Sequence, residues 1–266
     1  MTDRYAVVGN PVSHSRSPWI HAEFARQTAQ DLAYVSIEAP LEGFEATVAA
    51  FREAGGSGLN VTLPFKERAF RLATQTSARA LAAEAVNTLA FGPGGVRGDN
   101  TDGVGLVRDL EHNLGFRLQG RRVLLAGAGG ASQGVVQPLL AAGIATLAIA
   151  NRTPARAQSL ASRFPGVRGS GYGALAGERF DLVINATSAG LLGAAPALPA
   201  GAMDKAGLAY DMVYGRDTPF LAQARAAGVR ACDGLGMLVE QAAESFLIWR
   251  GVRPDTAPVL KALRDT

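Results

Sequence analysis

Val123-Leu124-Leu125-Ala126-Gly127-Ala128-Gly129-Gly130-Ala131-Ser132 is the stretch that decides the fold. Four apolar residues read as a buried strand, and the glycines after them as a tight turn into a helix over 131–142. Glycine lets the backbone approach a ligand closely, and the free N–H groups of a helix start favour an anion. Strand, glycine turn and helix in this order form a dinucleotide-binding unit, with Gly127, Ala128, Gly129, Gly130 and Ala131 around a pyrophosphate. Ser132 stands where the fingerprint has its third glycine. A purely structural turn of a parallel α/β fold looks similar, so the next strand matters.

That strand, 146–150, runs into Asn151-Arg152-Thr153, with Arg156 following. Sites for NAD carry an Asp or Glu about 20 residues after the glycines, bonded to the ribose hydroxyls. No acid stands here. Two guanidiniums and a hydroxyl suit a 2′-phosphate, so NADP is expected over NAD. Each charge-assisted bond contributes about 1.5–3 kcal/mol, or roughly tenfold or more in affinity. Arg156 also suits a solvated helix face.

Further strands are expected at 182–185 and 208–212, and a helix at 103–113 precedes the glycine strand. Upstream, strands at 5–8, 32–37 and 58–62 alternate with helices at 18–30 and 44–54. Ser17 reads as the cap of the first of these and Pro18 as its first turn. Helical pattern returns at 66–72 and 77–83. A hairpin follows, with 86–91 and 96–97 flanking Gly92-Pro93-Gly94-Gly95. The chain closes with helices at 236–249 and 258–264. Strands separated by helices imply a parallel sheet covered on both faces, an α/β fold. No loose linker is visible, so the unit changes near 102 and 235 are expected to pass through helices.

Composition narrows the function. The 266 residues are 48% hydrophobic and 18% charged, which describes a globular chain with a sizeable core. The net charge of +3 is scattered, with no run of five basic residues. A nucleic-acid partner or a polybasic membrane surface is therefore not expected. The longest apolar stretch, 139–150, is too short to span a bilayer. Cys232 is the single cysteine, which suits a reducing, cytoplasmic setting and a packing role rather than a nucleophile. No Cys/His cluster offers a metal site. His14, His21 and His112 lack a spaced acidic partner, and His14 reads as structural.

Of the 26 basic residues only three are lysines, and Lys66 closes Asn60-Val61-Thr62-Leu63-Pro64-Phe65-Lys66. Arginine keeps its proton at working pH, whereas a desolvated lysine can exchange one. Asn60 and Thr62 leave a strand on the same face and need partners, which a polar ligand could supply. A surface lysine after a strand is the plain alternative. Two other polar clusters stand out. Ser13-His14-Ser15-Arg16-Ser17-Pro18 suits a carboxylate at a helix start, or simple capping by Ser17. Gly98-Asp99-Asn100-Thr101-Asp102-Gly103 is a polar cluster at the unit change, or an Asx-rich turn.

Together these segments closely resemble the bacterial shikimate dehydrogenases over essentially the whole length. The likeness extends through Gly9-Asn10-Pro11, Ala85-Val86-Asn87-Thr88, 185–188, Asp211-Met212-Val213-Tyr214 and 233–238 with Gln241. The resemblance implies an α/β substrate domain at 1–102 plus 236–266. Between these segments it implies a Rossmann-like, doubly wound NADP domain at 103–235, separated from the first by a cleft. It implies Lys66 and Asp102 as the catalytic pair. Ser15, Ser17 and Tyr214 would hold the substrate carboxylate, and Thr62, Asn87, Asp102 and Gln241 the ring hydroxyls. Residues 127–131 would take the pyrophosphate, Asn151, Arg152, Thr153 and Arg156 the adenosine phosphate end, and Met212 and Gly234 the nicotinamide side. Two departures are small: Gln133 stands where many relatives carry arginine, and Glu240 precedes Gln241. The implied reaction is 3-dehydroshikimate plus NADPH to shikimate plus NADP, and its reverse. The expected chain is a monomer or homodimer with no partner beyond the small molecules. A broader quinate/shikimate enzyme using NAD, and a non-catalytic NADP-binding sensor, are the alternatives. The first conflicts with Arg152, and the second with the retention of Lys66 and Asp102.

Overall fold

The computed structural model describes residues 2–187 and 189–265. Ser188, within the segment 185–188 named above, lies outside the described residues. The chain divides into two units: Met1–Gly105 with Leu238–Thr266, and Leu106–Met237. Both changes of unit fall inside helices, Asp102–Arg108 and Leu235–Arg250.

The first unit carries β1 (Asp3–Gly9), α1 (Ser17–Thr28), β2 (Leu32–Glu38), α2 (Phe44–Glu53), β3 (Gly56–Val61) and α3 (Lys66–Leu72). It continues with β4 (Gln75–Thr76), α4 (Ala78–Ala83), β5 (Thr88–Gly92), β6 (Gly95–Asp99) and the start of α5 (Asp102–Arg108). The sheet order is β2-β1-β3-β5-β6-β4. β1 pairs in parallel with β2 and β3, whereas β5 runs antiparallel to β3 and β6. The antiparallel part follows from the hairpin at Gly92–Gly95, which returns the chain without a crossover.

The second unit holds β7 (Arg122–Ala126), α6 (Gly130–Ala141), β8 (Thr146–Ala150), α7 (Pro154–Ala161), β9 (Arg168–Ser170) and β10 (Leu182–Asn185). β11 (Leu208–Asp211), α8 (Pro219–Ala226) and β12 (Ala231–Cys232) complete it before α9 (Leu235–Arg250). α10 (Ala257–Arg264) follows in the first unit. All six strands are parallel, in the order β12-β11-β10-β7-β8-β9. The chain starts in the middle, at β7, and winds outward both ways. The ends of β7 and β10 therefore flank a topological switch point. Alternate residues of these strands face opposite cores. Val123, Leu125, Ile149, Ile184 and Tyr210 join one cluster, and Leu124, Ala148, Val183 and Ala209 the other. A sheet buried on both faces needs such near-continuous apolar strands.

Two local expectations change. Ser17 does not cap α1: Arg16 holds the cap position without a side-chain bond, and Ser17 is the first helical residue, buried. Ser15 instead accepts the Ser17 N–H at 3.2 Å. The helix expected at 103–113 is α-helical only to Arg108, and Asp109–Asn113 is π-helical. The two-residue strands β4 and β12 and the three-residue β9 carry too few residues for a readable period. Among the described residues no helix is long and apolar enough to cross a membrane, and no cluster of His, Cys, Asp or Glu could hold a metal.

Candidate active site

In the first unit, α3 begins at Lys66 itself. Phe65, just before it, is buried and stacks on Phe44 with ring centres 4.7 Å apart, which fixes where the helix starts. Lys66 Nζ donates to Asp102 Oδ2 at 2.6 Å, with both side chains nearly buried. Asp102 opens α5 directly after the β6 turn, and its backbone N–H donates to Asn100 Oδ1 at 3.1 Å. Its other oxygen, Oδ1, accepts from Asn87 Nδ2 at 2.9 Å.

The orientation of the Asn87 amide is set by a donor that cannot turn round. The backbone N–H of Thr101 donates to Asn87 Oδ1 at 2.8 Å, so Nδ2 must face Asp102. Gln241, on α9, lies at the same place: its Oε1 is 3.3 Å from both Asn87 Nδ2 and Thr101 Oγ1. Lys66, Asp102, Asn87 and Gln241 thus form one connected group. Thr62 is half-buried, four residues before Lys66, with its N–H on Val8 O at 2.9 Å. Ser15 and Ser17 are joined to each other at the start of α1.

Asn60 departs from expectation. Its partners are protein, not ligand. It accepts from Tyr34 Oη at 2.7 Å and donates to Ser245 Oγ at 2.9 Å and Thr88 Oγ1 at 3.2 Å. Ser245 also meets Thr88 at 2.8 Å and Thr101 at 3.2 Å. A buried polar layer therefore lies behind Asn87.

In the second unit, Gly127 has φ +113°, a conformation that side chains with a Cβ rarely adopt. An added Cβ would also press on the Ala186 backbone at 3.1 Å. At Gly129 and Gly130 a Cβ would meet nothing within 4 Å, so the turn leaves open space above the start of α6. No side chain caps α6 at Gly129, which leaves its first N–H groups directed at that space. This cradle fits a pyrophosphate.

Asn151 to Thr153 lie between β8 and α7, and Asn151 Nδ2 donates to Thr153 O at 3.0 Å. Arg152 and Arg156 are exposed. Burial raises the pKa of Tyr172, and the positive charge of Arg152 opposes that rise. After β11, Gly234 packs so tightly on Met212 that a Cβ would meet its carbonyl oxygen at 2.5 Å, so these two share one place. Tyr214 is half-buried in the turn after β11, in this unit, whereas Ser15 and Ser17 belong to the first.

Three family descriptions match the chain in succession. They are the shikimate dehydrogenase substrate binding domain over 7–89, the shikimate/quinate 5-dehydrogenase over 109–193, and the shikimate 5'-dehydrogenase C-terminal domain over 234–264. The NADP(+) shikimate dehydrogenase of Aromatoleum aromaticum is 61% identical, covering 98% of this chain and 97% of that protein. The chain belongs to the shikimate dehydrogenase family. Among solved structures, an Ael1 enzyme from Pseudomonas putida is 52% identical with a TM-score of 0.93, each chain covered to 98%. The shikimate 5-dehydrogenase of Thermus thermophilus, in complex with NADP(H) and shikimate, is 35% identical with a TM-score of 0.88, each chain covered to 99%.

For a shikimate dehydrogenase, the sequence reading passed over several supporting groups. Ser245 stands one helical turn after Gln241, a spacing that puts both on one face of α9. Asp211 is buried at the C-terminal end of β11, between β10 and β12 in the sheet of the second unit. It accepts from Asn185 Nδ2 at 3.0 Å, Val213 N–H at 3.1 Å and Thr218 Oγ1 at 2.5 Å. Burial raises its pKa, and these three donors oppose the rise. It ties together the turns after β10 and β11.

Proposed function

We propose that Lys66 and Asp102 carry the proton half of the reversible reduction of 3-dehydroshikimate to shikimate. The observation behind this is the pair itself. A nearly buried ammonium is held at 2.6 Å by a carboxylate whose second oxygen is fixed by Asn87. NADPH, when bound, supplies the hydride to the ring ketone. Lys66 Nζ gives a proton to the oxygen that becomes a hydroxyl, and its positive charge stabilises the developing oxyanion. In the oxidation direction Lys66 takes that proton back. Asp102 orients the ammonium and accepts from a neighbouring ring hydroxyl.

Thr62, Asn87 and Gln241 bind the hydroxyls, while Ser15, Ser17 and Tyr214 bind the carboxylate. Residues 127–131 hold the pyrophosphate, with Asn151, Arg152, Thr153 and Arg156 at the 2′-phosphate and Met212 and Gly234 beside the nicotinamide. On this reading 1–102 with 236–266 is the substrate domain and 103–235 the NADP domain. The reaction belongs to chorismate and aromatic amino acid biosynthesis. Its setting is the cytoplasm, whose reducing environment suits a chain with one cysteine. The working form is a monomer or homodimer.

Initial rates for shikimate and quinate, each crossed with NADP and NAD, test the reading. Shikimate with NADP is expected to be the fastest pair. Faster turnover with quinate and NAD would replace it with the broader enzyme. Absence of turnover in all four would leave a nucleotide-binding protein without catalysis.

A further inference from the structure

We propose that Arg79 is a positioning residue for the substrate site: it registers α9 against the turn bearing Asp102, and so aims Gln241. The proposal rests on the reading of Asp102 and Gln241 as substrate-binding groups. Arg79 lies in α4, outside every segment assigned a role above.

Its guanidinium joins two elements. Nε donates to Asp99 Oδ1 at 2.5 Å and Nη1 to Glu244 Oε1 at 2.9 Å. Asp99 is 3% exposed, at the end of β6. Its Oδ1 also accepts from Ser77 Oγ at 2.7 Å and from the Asn100 N–H at 2.7 Å, the first residue of the turn leading to Asp102. Glu244 lies on α9, three residues after Gln241, and its other oxygen accepts from Arg253 Nη1 at 2.6 Å. Arg253 Nη2 reaches Glu240 Oε2 at 3.1 Å, and Thr256 Oγ1 donates to Glu240 Oε1 at 2.6 Å. Negative and positive charges therefore alternate along Asp99, Arg79, Glu244, Arg253 and Glu240. The unusual Glu240 beside Gln241 is the end of this ladder.

The large apolar anchors of α9, Phe246 and Trp249, lie further along the helix, against His21, Phe24 and Tyr5. Directly after Gln241 the buried residues are Ala242 and Ala243, whose small side chains present little relief to hold that turn. Directional, charge-assisted bonds supply what the alanines do not. The tolerance is narrow, because Gln241 Oε1 is already 3.3 Å from its two partners. A few tenths of an ångström would take it out of hydrogen-bond range. A guanidinium can engage Asp99 and Glu244 at fixed angles at once; an ammonium is a point charge without that fork.

Full-length wild type, Arg79→Lys and Arg79→Ala are compared by initial rates in shikimate and in NADP, with thermal melting followed by circular dichroism. A role in stability alone would lower the melting point and the active fraction while leaving both KM values in place. Positioning predicts a KM for shikimate raised about tenfold or more in Arg79→Ala and less in Arg79→Lys, with KM for NADP within about twofold. Millimolar guanidinium should restore part of the shikimate KM of Arg79→Ala. Should that variant fail to fold, Arg79→Lys carries the measurement, with a rise of about threefold or more expected. A shikimate KM within about twofold of wild type in the folded variants, or a parallel rise in both KM values, overturns the proposal. Wild type that fails to turn over shikimate overturns both the functional reading and this role, whereas active wild type with unaffected variants overturns this role alone.

Discussion

Lys66 holds one oxygen of Asp102 and Asn87 holds the other, so this carboxylate has little freedom to turn. Lys66→Ala is expected to lower turnover by about 10²–10⁴-fold, the range of general acid–base help, with KM for shikimate within several-fold. Turnover within about threefold of wild type would remove Lys66 from the chemistry. Arg152→Ala should weaken NADP by roughly tenfold or more and leave NAD little changed, as read by KM for each cofactor. Equal losses for both would move the 2′-phosphate elsewhere. Lys66 and Arg152 were readable as residues because each breaks a local pattern: a lysine among arginines, and a base where an acid is usual. Asn60 was not. Its partners Tyr34, Thr88 and Ser245 come from strands and a helix distant in sequence, and no local spacing announces them.

Elements were most legible where burial writes a period. β7, β8, β10 and β11 are apolar on both faces, and the glycine turn punctuates the first of them. The start of α1 misled because Ser-Pro is a capping signature, whereas here the buried Ser17 is already helical and Ser15 supplies the bond. The π-helical turn after α5 has a tertiary setting. Asp109 is buried there, accepting from Tyr210 Oη at 2.6 Å. Burial and the neighbouring carboxylate of Asp109 both push the Tyr210 pKa well up. Gly236, near the start of α9, packs on the same carboxylate with no room for a Cβ. Gly236→Ala is therefore expected to destabilise by about 1–3 kcal/mol, measured by urea unfolding. A change below about 0.5 kcal/mol would mean that Asp109 yields easily. At Gly127, alanine meets both an unfavourable φ and the Ala186 backbone, so Gly127→Ala should weaken NADP more than shikimate, read as separate KM values.

At the scale of the molecule, one buried group sets a response to acid. His21 is fully buried, stacked on Tyr34 with ring centres 4.2 Å apart, and neither ring nitrogen meets a partner at ordinary hydrogen-bond geometry. Burial lowers its pKa from 6.5 to about 3, against a weaker opposing pull from Asn60. The fold holds the neutral ring, so its contribution is whole above pH 6.5 and is lost as pH falls toward 3. By pH 5 this group alone costs about 2 kcal/mol, at about 1.4 kcal/mol per unit. His21→Phe should lose less stability than wild type between pH 7 and 5 in urea titrations; identical losses would show that His21 is not the sensor. The two-unit organisation was legible only in outline, since the ends of a unit interrupted by another meet through contacts such as Trp249 Nε1 to Leu89 O, 160 residues apart. That interruption has a consequence for synthesis. The ribosome completes all of Leu106–Met237 before it makes the end of α9. Until then the first unit lacks Phe246, Trp249 and the Ser245 hydroxyl that closes its polar layer. The nascent N-terminal third must therefore wait, incompletely covered, while its neighbour is free to fold, and that interval is when this chain is most exposed to aggregation and has most need of a chaperone.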